Sequence, residues 1–265
     1  MKSAGVRWLA LSFPLLSLLV LGAYADSINL GTAGSYAVLA GSAVTNTGSS
    51  VLTGNLGLSP GSAVTGFPPG IVTGGTIHAG DAAAAQAQID LTTAYNAAMG
   101  LSPTATLTGQ DLGGMVLTPG VYFFTSSAQL TGTLTLNNLG NPNALFVFQI
   151  GSTLTTASSS SVIFSSSLAD SNVFWQVGSS ATLGTTTAFQ GNILALTSIT
   201  LNTGATIGCG SALARNGAVT LDSNKIGGGC GSSSSNTTVP EPGTMGLLGT
   251  GLTVLVGAAR RRLRT

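Results

Sequence analysis

Residues 152–164 read STLTTASSSSVIF, residues 181–189 ATLGTTTAF, residues 199–208 ITLNTGATIG and residues 219–227 VTLDSNKIG. The four segments can be written over one another. Each holds a Thr-Leu pair near its start (Thr153-Leu154, Thr182-Leu183, Thr200-Leu201, Thr220-Leu221), then a hydroxyl residue, then an apolar residue near its end. Successive pairs lie 29, 18 and 20 residues apart, and GTLTLNNLG at 132–140 reads as a fifth, degenerate copy. A period of about twenty, with short alternating strands and Gly, Asn and Ser at the corners, is the pattern of a β-solenoid. One coil cannot bury its apolar side alone, and stacking the coils makes a continuous core. Alternation sends Leu154, Leu183, Leu201 and Leu221 inward and the threonines before them outward.

Working outward, ALFVFQIGS (144–152) and NVFWQVGSS (172–180) form a second matched pair, dense enough in large apolar side chains for a covered face, with Trp175 in the core or under the cover. The cover is predicted at 81–99. There Asp81 is placed to cap a helix, Gly100 to stop it, and Ala84, Ala87, Leu91, Ala94, Tyr95 and Ala98 recur at helical spacing. Upstream, residues 34–66 show the same short-strand style, so the solenoid is expected to begin there. GFPPGIVTGG (66–75) reads as a loop or cap, since Pro68 and Pro69 exclude a central strand.

Composition limits the function. Charged residues make up 6% of the 265, against 43% hydrophobic and 38 glycines. Typical soluble domains carry about a quarter charged residues, so Ser, Thr, Asn and Gly must cover this surface. Between residues 26 and 238 stand six acidic groups (Asp26, Asp81, Asp90, Asp111, Asp170, Asp222) and two basic ones (Arg215, Lys225), a net charge of −4. Two cations cannot neutralise a phosphate backbone, which excludes nucleic-acid binding. A polysaccharide lyase or hydrolase needs clustered carboxylates, and these aspartates are scattered. No cofactor and no metal site is expected: Cys209, Cys230 and the distant His78 make a poor zinc set. In an exported chain the two cysteines are expected to form a disulfide. His78 reads as a hydrogen-bonded packing residue, Asp111 as a turn cap, and Arg215 with Asp222 as at best a weak surface pair.

Both ends read as targeting segments. Residues 1–25 have a basic start at Lys2 and Arg7, an apolar run from Trp8 to Leu21, and small residues at Ala23 and Ala25: the plan of a signal peptide. Residues 231–238 form a Ser-rich linker. In 239–265 an uncharged run over 243–259, at the lower limit for a bilayer span, precedes Arg260, Arg261, Arg262 and Arg264. With Pro240, Glu241 and Pro242 ahead of the run, this tail resembles the PEP-CTERM sorting signal of Gram-negative bacteria. The resemblance implies an exosortase-type processing enzyme as partner, transient membrane anchoring through the C-terminal helix, and a secreted or cell-envelope location.

The domain between (26–230) carries a resemblance of its own. SYAVLAGSAVTNTG, TGNLGLSPGSAVTGFPPG, AQAQIDLTTAYNAA, DLGGMVLTPGVYFF, VFWQVGSSATLGT and GNILALTSITLNTGAT run in order from about Asn29 to Ile226. They look like the signature blocks of the ice-binding-like family. That resemblance implies a mainly β fold, an irregular right-handed β-helix of triangular section with one long α-helix alongside. It also implies a non-enzymatic protein, expected as a monomer, that adsorbs to ice and ordered water through one flat face. Some relatives mark that face with Thr-Ala/Gly-x-Thr/Asn. Here TGAT (Thr203 to Thr206) fits in full, TASS (Thr156 to Ser159) in part, and TTTA (Thr185 to Ala188) and SNK (Ser223 to Lys225) depart from it. The candidate face is therefore Thr156, Ser159, Thr185, Thr187, Thr203, Thr206 and Ser223, extended by Thr45, Thr47, Thr53 and Asn55. The competing expectation is a structural or adhesive matrix protein, in which the solenoid is a rigid spacer.

Overall fold

The computed structural model describes residues 28–141, 143–165 and 172–227. The expected signal peptide (1–25), Cys230, the linker, the Pro240-Glu241-Pro242 motif and the span over 243–259 lie outside the described residues. Within them the chain winds through three parallel sheets of nine, seven and eight strands, here A, B and C, visited in that order once per coil. One long helix, α1 (Ala82–Gly100), interrupts the winding, in agreement with the expectation for 81–99. Asp81 caps it by accepting a hydrogen bond from the Ala84 backbone N–H at 2.9 Å.

The coils do not stack in chain order. From the end strand Ala105–Thr106, strands beginning at Gly120, Phe146, Val173, Asn192 and Ala212 follow one another on sheet A. On the last of these sits the coil that begins at Tyr36, then the one that begins at Asn55. Residues 34–66 thus begin the solenoid along the chain, as expected, but in the stack the first coils of the chain close over the last one. Val38 pairs with Ala212, Val44 with Val219 and Val51 with Lys225.

Alternation builds the core as expected. Leu154, Leu183, Leu201 and Leu221 are all buried. Sheet A contributes the bulk: Phe148 stacks on Trp175 at 3.8 Å between ring centroids and 7° between planes, with Tyr122 and Phe189 flanking the pair. The two matched segments are paired residue for residue, Phe146 with Val173 through Ile150 with Val177. Their outer side is covered by α1, which buries Ala84, Ala87, Leu91, Ala94, Tyr95 and Ala98. Polar side chains lock the helix down. The Gln149 carboxamide donates to the carbonyls of Ala98 and Leu101, both at 2.8 Å, and that of Gln176 to the Tyr95 hydroxyl at 2.8 Å. Arg215 does not pair with Asp222; its guanidinium lies 4.7 Å from the Tyr95 ring centroid and bonds Thr92.

Two repeat assignments are corrected by the pairing. Thr182 stands opposite Thr155, not Thr153, and Leu154 opposite Ala181. A slip of two residues leaves every side chain on the same side of the sheet, so alternation could not detect it. The supposed fifth copy belongs elsewhere: Thr133–Leu136 is a strand of sheet C, paired with Ser161–Phe164.

Candidate functional site

Of the three outer faces, sheet A is under the helix. Sheet C is uneven. One of its outer rows runs Thr133, Ser161, Ala188, Thr206, Lys225, Val51, Ile71, so a cation and branched aliphatics interrupt the small residues. Ile71 and Ile163 are 50% and 45% exposed there. Sheet B differs. Along its centre Thr155, Thr182, Thr200, Thr220, Thr45 and Thr65 stand in unbroken register, each opposite the next, and Gln129 ends the row. Coils in register repeat at about 4.8 Å, so six threonine side chains form one straight neutral column. The residues two places earlier (Thr153, Ser180, Ser198, Ala218, Ala43, Ala63) are all small and uncharged.

The chemistry of this column follows from threonine itself. A β-branched side chain has few rotamers, so little entropy is lost when the face docks. Each residue offers a methyl beside a hydroxyl, which lets water order around the one and bond the other. Some hydroxyls are already tied to neighbours: Thr45 to Thr220 at 3.4 Å, and Ser127 to Thr153 at 2.8 Å. The face holds no acid–base pair, and no group of three His, Cys, Asp or Glu side chains among the described residues could hold a metal ion.

At its far side sheet B turns into sheet C through a corner of left-handed residues. Ser159, Thr186 and Ser223 have φ of 58°, 56° and 53°, beside Gly204 at 71° and Gly48 at 76°. For a β-branched residue such as Thr186 this conformation is strained. Hydroxyls at and beside these positions already have partners: Ser159 meets Thr186 at 3.0 Å, the Thr203 hydroxyl donates to the Asp222 carboxylate, and Ser223 donates to the other oxygen of that carboxylate at 3.2 Å. Gly48 suits this corner through its φ of 76°, and a Cβ there would stand 2.3 Å from the Ser223 side-chain oxygen.

The residues singled out from sequence are divided among five places. Thr45 and Thr47 lie on sheet B. Ser159, Thr185, Thr203 and Ser223 form the exposed B–C corner. Thr206 and Thr53 are on sheet C. The remaining three have structural duties. Thr156 and Thr187 are buried, 3% and 0% exposed, and face the interior. The Gly184 N–H donates to the Thr156 hydroxyl (2.9 Å), which donates to the Thr187 hydroxyl (2.8 Å), which donates to the Ala157 carbonyl (3.2 Å). The chain leaves no hydrogen for an outside partner. Asn55 bonds the Ser35 hydroxyl and the Thr76 N–H, tying the C–A corner to the segment before the first strand. What the motif search missed is the column itself: Thr155, Thr182, Thr200, Thr220 and Thr65. Three of these are the opening threonines of the Thr-Leu pairs, so their signal was present in the repeat.

Other residues match their sequence-based roles. Asp111 accepts from the Gly113 and Thr131 N–H groups at 2.6 and 2.9 Å, as a turn cap. His78 bonds Asp81 through Nδ1 at 2.8 Å and Thr76 through Nε2 at 2.9 Å. Cys209 is buried at the end of its sheet C strand, and its expected partner lies outside the described residues.

Comparison with known proteins identifies the family. Residues 38–227 match the ice-binding-like family, and residues 238–262 the PEP-CTERM protein-sorting motif. An ice-binding protein of Nostoc sp. (strain HG1) is 62% identical over 237 residues, covering 89% of this chain and 87% of the relative. One from Flavobacterium frigoris (strain PS1) is 34% identical, with 76% of each chain covered. Among solved structures, an ice-binding protein from an Antarctic biological consortium superposes with a TM-score of 0.72 at 52% identity, over 76% of this chain and 90% of the other. That of the Antarctic ascomycete Antarctomyces psychrotrophicus also gives 0.72, at 41% identity, over 77% of this chain and 98% of the other. With its family match over most of its length and a helix-covered solenoid shared with these structures, the chain belongs to the ice-binding-like family.

Proposed function

We propose that this protein binds ice through the outward face of sheet B, without catalysis, and restrains ice growth and recrystallisation. The observation that carries the proposal is the register of Thr155, Thr182, Thr200, Thr220, Thr45 and Thr65 on the one outer face that is neither covered nor charged along its centre. Each contact with water is weak, so affinity must come from many contacts offered at once by a surface that loses little freedom on docking. Parallel β-coils supply that rigidity, with repeats of about 4.8 Å across coils and about 6.7 Å along a strand, both close to oxygen repeats in ice. Thr47 and the corner hydroxyls of Thr185 and Thr203 extend the contact at its edge. The relatives named as ice-binding proteins support ice binding itself.

The sorting motif supports export and processing by an exosortase-type enzyme, with membrane anchoring through the C-terminal segment before processing. A bond between Cys209 and Cys230 would clip the end of the fold to sheet C. Purified protein at micromolar concentration should keep grains small in a frozen sucrose film. Coarsening at the rate of a buffer blank would refute ice binding.

A further inference from the structure

The two ends of the stack are finished differently. One is a full regular turn: Ala63–Thr65 on sheet B, Ile71–Thr73 on sheet C and Ile77–Ala79 on sheet A are each the last strand of their sheet. The other is closed by the irregular segment 103–119. Its strands on sheets A and C are two residues long, and it meets sheet B at the single bridge of Asp111 with Gln129. Short edges and charges keep a sheet from pairing further. The regular end has no such guard, since residues 59–80 contain no Asp, Glu, Lys or Arg. Its backbone is turned outward: the Ile71 N–H bonds the Ser50 carbonyl and the Thr73 carbonyl accepts from the Gly54 N–H, so the Val72 peptide groups between them point away from the neighbouring strand. Its core is open as well. Ile77 stands in register with the fully buried Leu56 yet is 43% exposed, and Val64, Phe67 and Val72 are only partly covered. Such an edge is what an added strand pairs with.

We infer that a second copy of this chain docks on the regular end, the two regular ends face to face, and that the pair presents one lengthened threonine face to ice. The inference rests on ice binding by sheet B and extends that site. A copy docked by its other end would set the irregular segment and Asp111 against the open strands, and would leave a regular end to add further copies; two like ends about a two-fold axis close the contact. With the axis through face B, Ala63–Thr65 runs antiparallel to its own counterpart, and both threonine columns share one plane, meeting at Thr65. An axis through either other face turns the two columns away from each other. Three edges of about 10 Å each bound less area than the roughly 800 Å² per partner of a stable complex. The chain is therefore single in dilute solution and pairs on ice, where copies held by one plane meet at high effective concentration.

The test uses the full chain in detergent. Light scattering gives the protein mass from micromolar to millimolar concentration, and a frozen sucrose film gives the dose that inhibits recrystallisation. The parent is compared with Ile77→Lys and Ala79→Lys at the regular end and with Val116→Lys at the other, each checked for folding by circular dichroism. The expected result is a parent that passes from one copy to two and no further, with pairing lost in both regular-end variants and kept in Val116→Lys. The regular-end variants should also need a several-fold higher dose for the same inhibition. A parent of single mass throughout, growth beyond two copies, pairing that survives both regular-end variants, or an unchanged dose in both would overturn the inference and leave ice binding standing. No inhibition by the parent at any dose would overturn ice binding by sheet B, and the lengthened face with it, whatever the mass shows.

Discussion

Thr220 and Thr45, 175 residues apart in the chain, stand opposite each other on adjacent coils with their hydroxyl oxygens 3.4 Å apart. The threonine column is therefore spliced from the two ends of the domain. Four of its members come from residues 155–220 and two from residues 45–65, and the face is whole only when the first coil has closed over the last.

Asn224 lies beside that splice, with its side chain holding the last two coils together and its backbone meeting the first. It is fully buried; its carboxamide donates to the carbonyls of Asn202 and Ala205, both at 2.9 Å, its Oδ1 accepts from the Asp222 N–H, and its own N–H donates to Ser50 of the first coil. Asn224→Leu strands several buried groups, each worth about 1–3 kcal/mol. Thermal unfolding followed by circular dichroism should show a melting point lowered by many degrees, and an unchanged melting point would contradict the role given to this side chain.

The buried pair should separate stability from activity. Thr187→Val keeps the shape but removes the acceptor for Thr156 and the donor for Ala157, a loss of about 1–3 kcal/mol. Urea titration should register that loss. Ice shaping below the melting transition should stay at the level of the parent, because neither hydroxyl reaches the surface. A variant as stable as the parent but inactive would place Thr187 at the ice face.

Acid should loosen the helix before it affects the face. Hydrogen bonds from the Thr32 hydroxyl, then the Thr32 N–H and the Gln86 amide, hold Asp90 below the usual aspartate range. The Ala84 N–H and then the His78 ring do the same for Asp81. Both carboxyls are depressed in the fold. Their contribution is complete above the ordinary value of about 4 and is lost as pH falls through the lower folded values. The melting temperature should be flat from neutrality down to about pH 4 and fall below it. Asp90→Asn should melt lower at neutral pH and show a shallower acid decline; the same acid profile as the parent would exclude the Thr32–Asp90 latch.

The parts legible in the sequence were those set by local pattern. Helical spacing and the Asp81 cap marked α1, and alternation marked the inward leucines. The twin runs Phe146–Ile150 and Val173–Val177 marked the covered sheet, because side chains that large need a roof. What escaped was non-local. Nothing in residues 34–66 says that they pair with residues 212–226, since parallel coils of similar composition fit in any order. The two-residue slip between Thr153 and Thr155 is invisible to a period of two. Thr156 and Thr187 were misplaced because two hydroxyls that satisfy each other inside a coil look in sequence like two that face water. The column was overlooked for the opposite reason, its threonines having been read only as repeat markers and not as the site.

The measurement that bears most directly on sheet B compares two bulky substitutions in one ice-recrystallisation assay. Thr200→Tyr plants a ring in the middle of the column, and Ala188→Tyr plants the same ring on sheet C, where Ala188 stands opposite Thr206. Circular dichroism is the control that both variants are folded. The expected outcome is loss of nearly all inhibition in Thr200→Tyr and retention of the parent's inhibition in Ala188→Tyr. Full activity in Thr200→Tyr, or loss confined to Ala188→Tyr, would contradict binding through the threonine column.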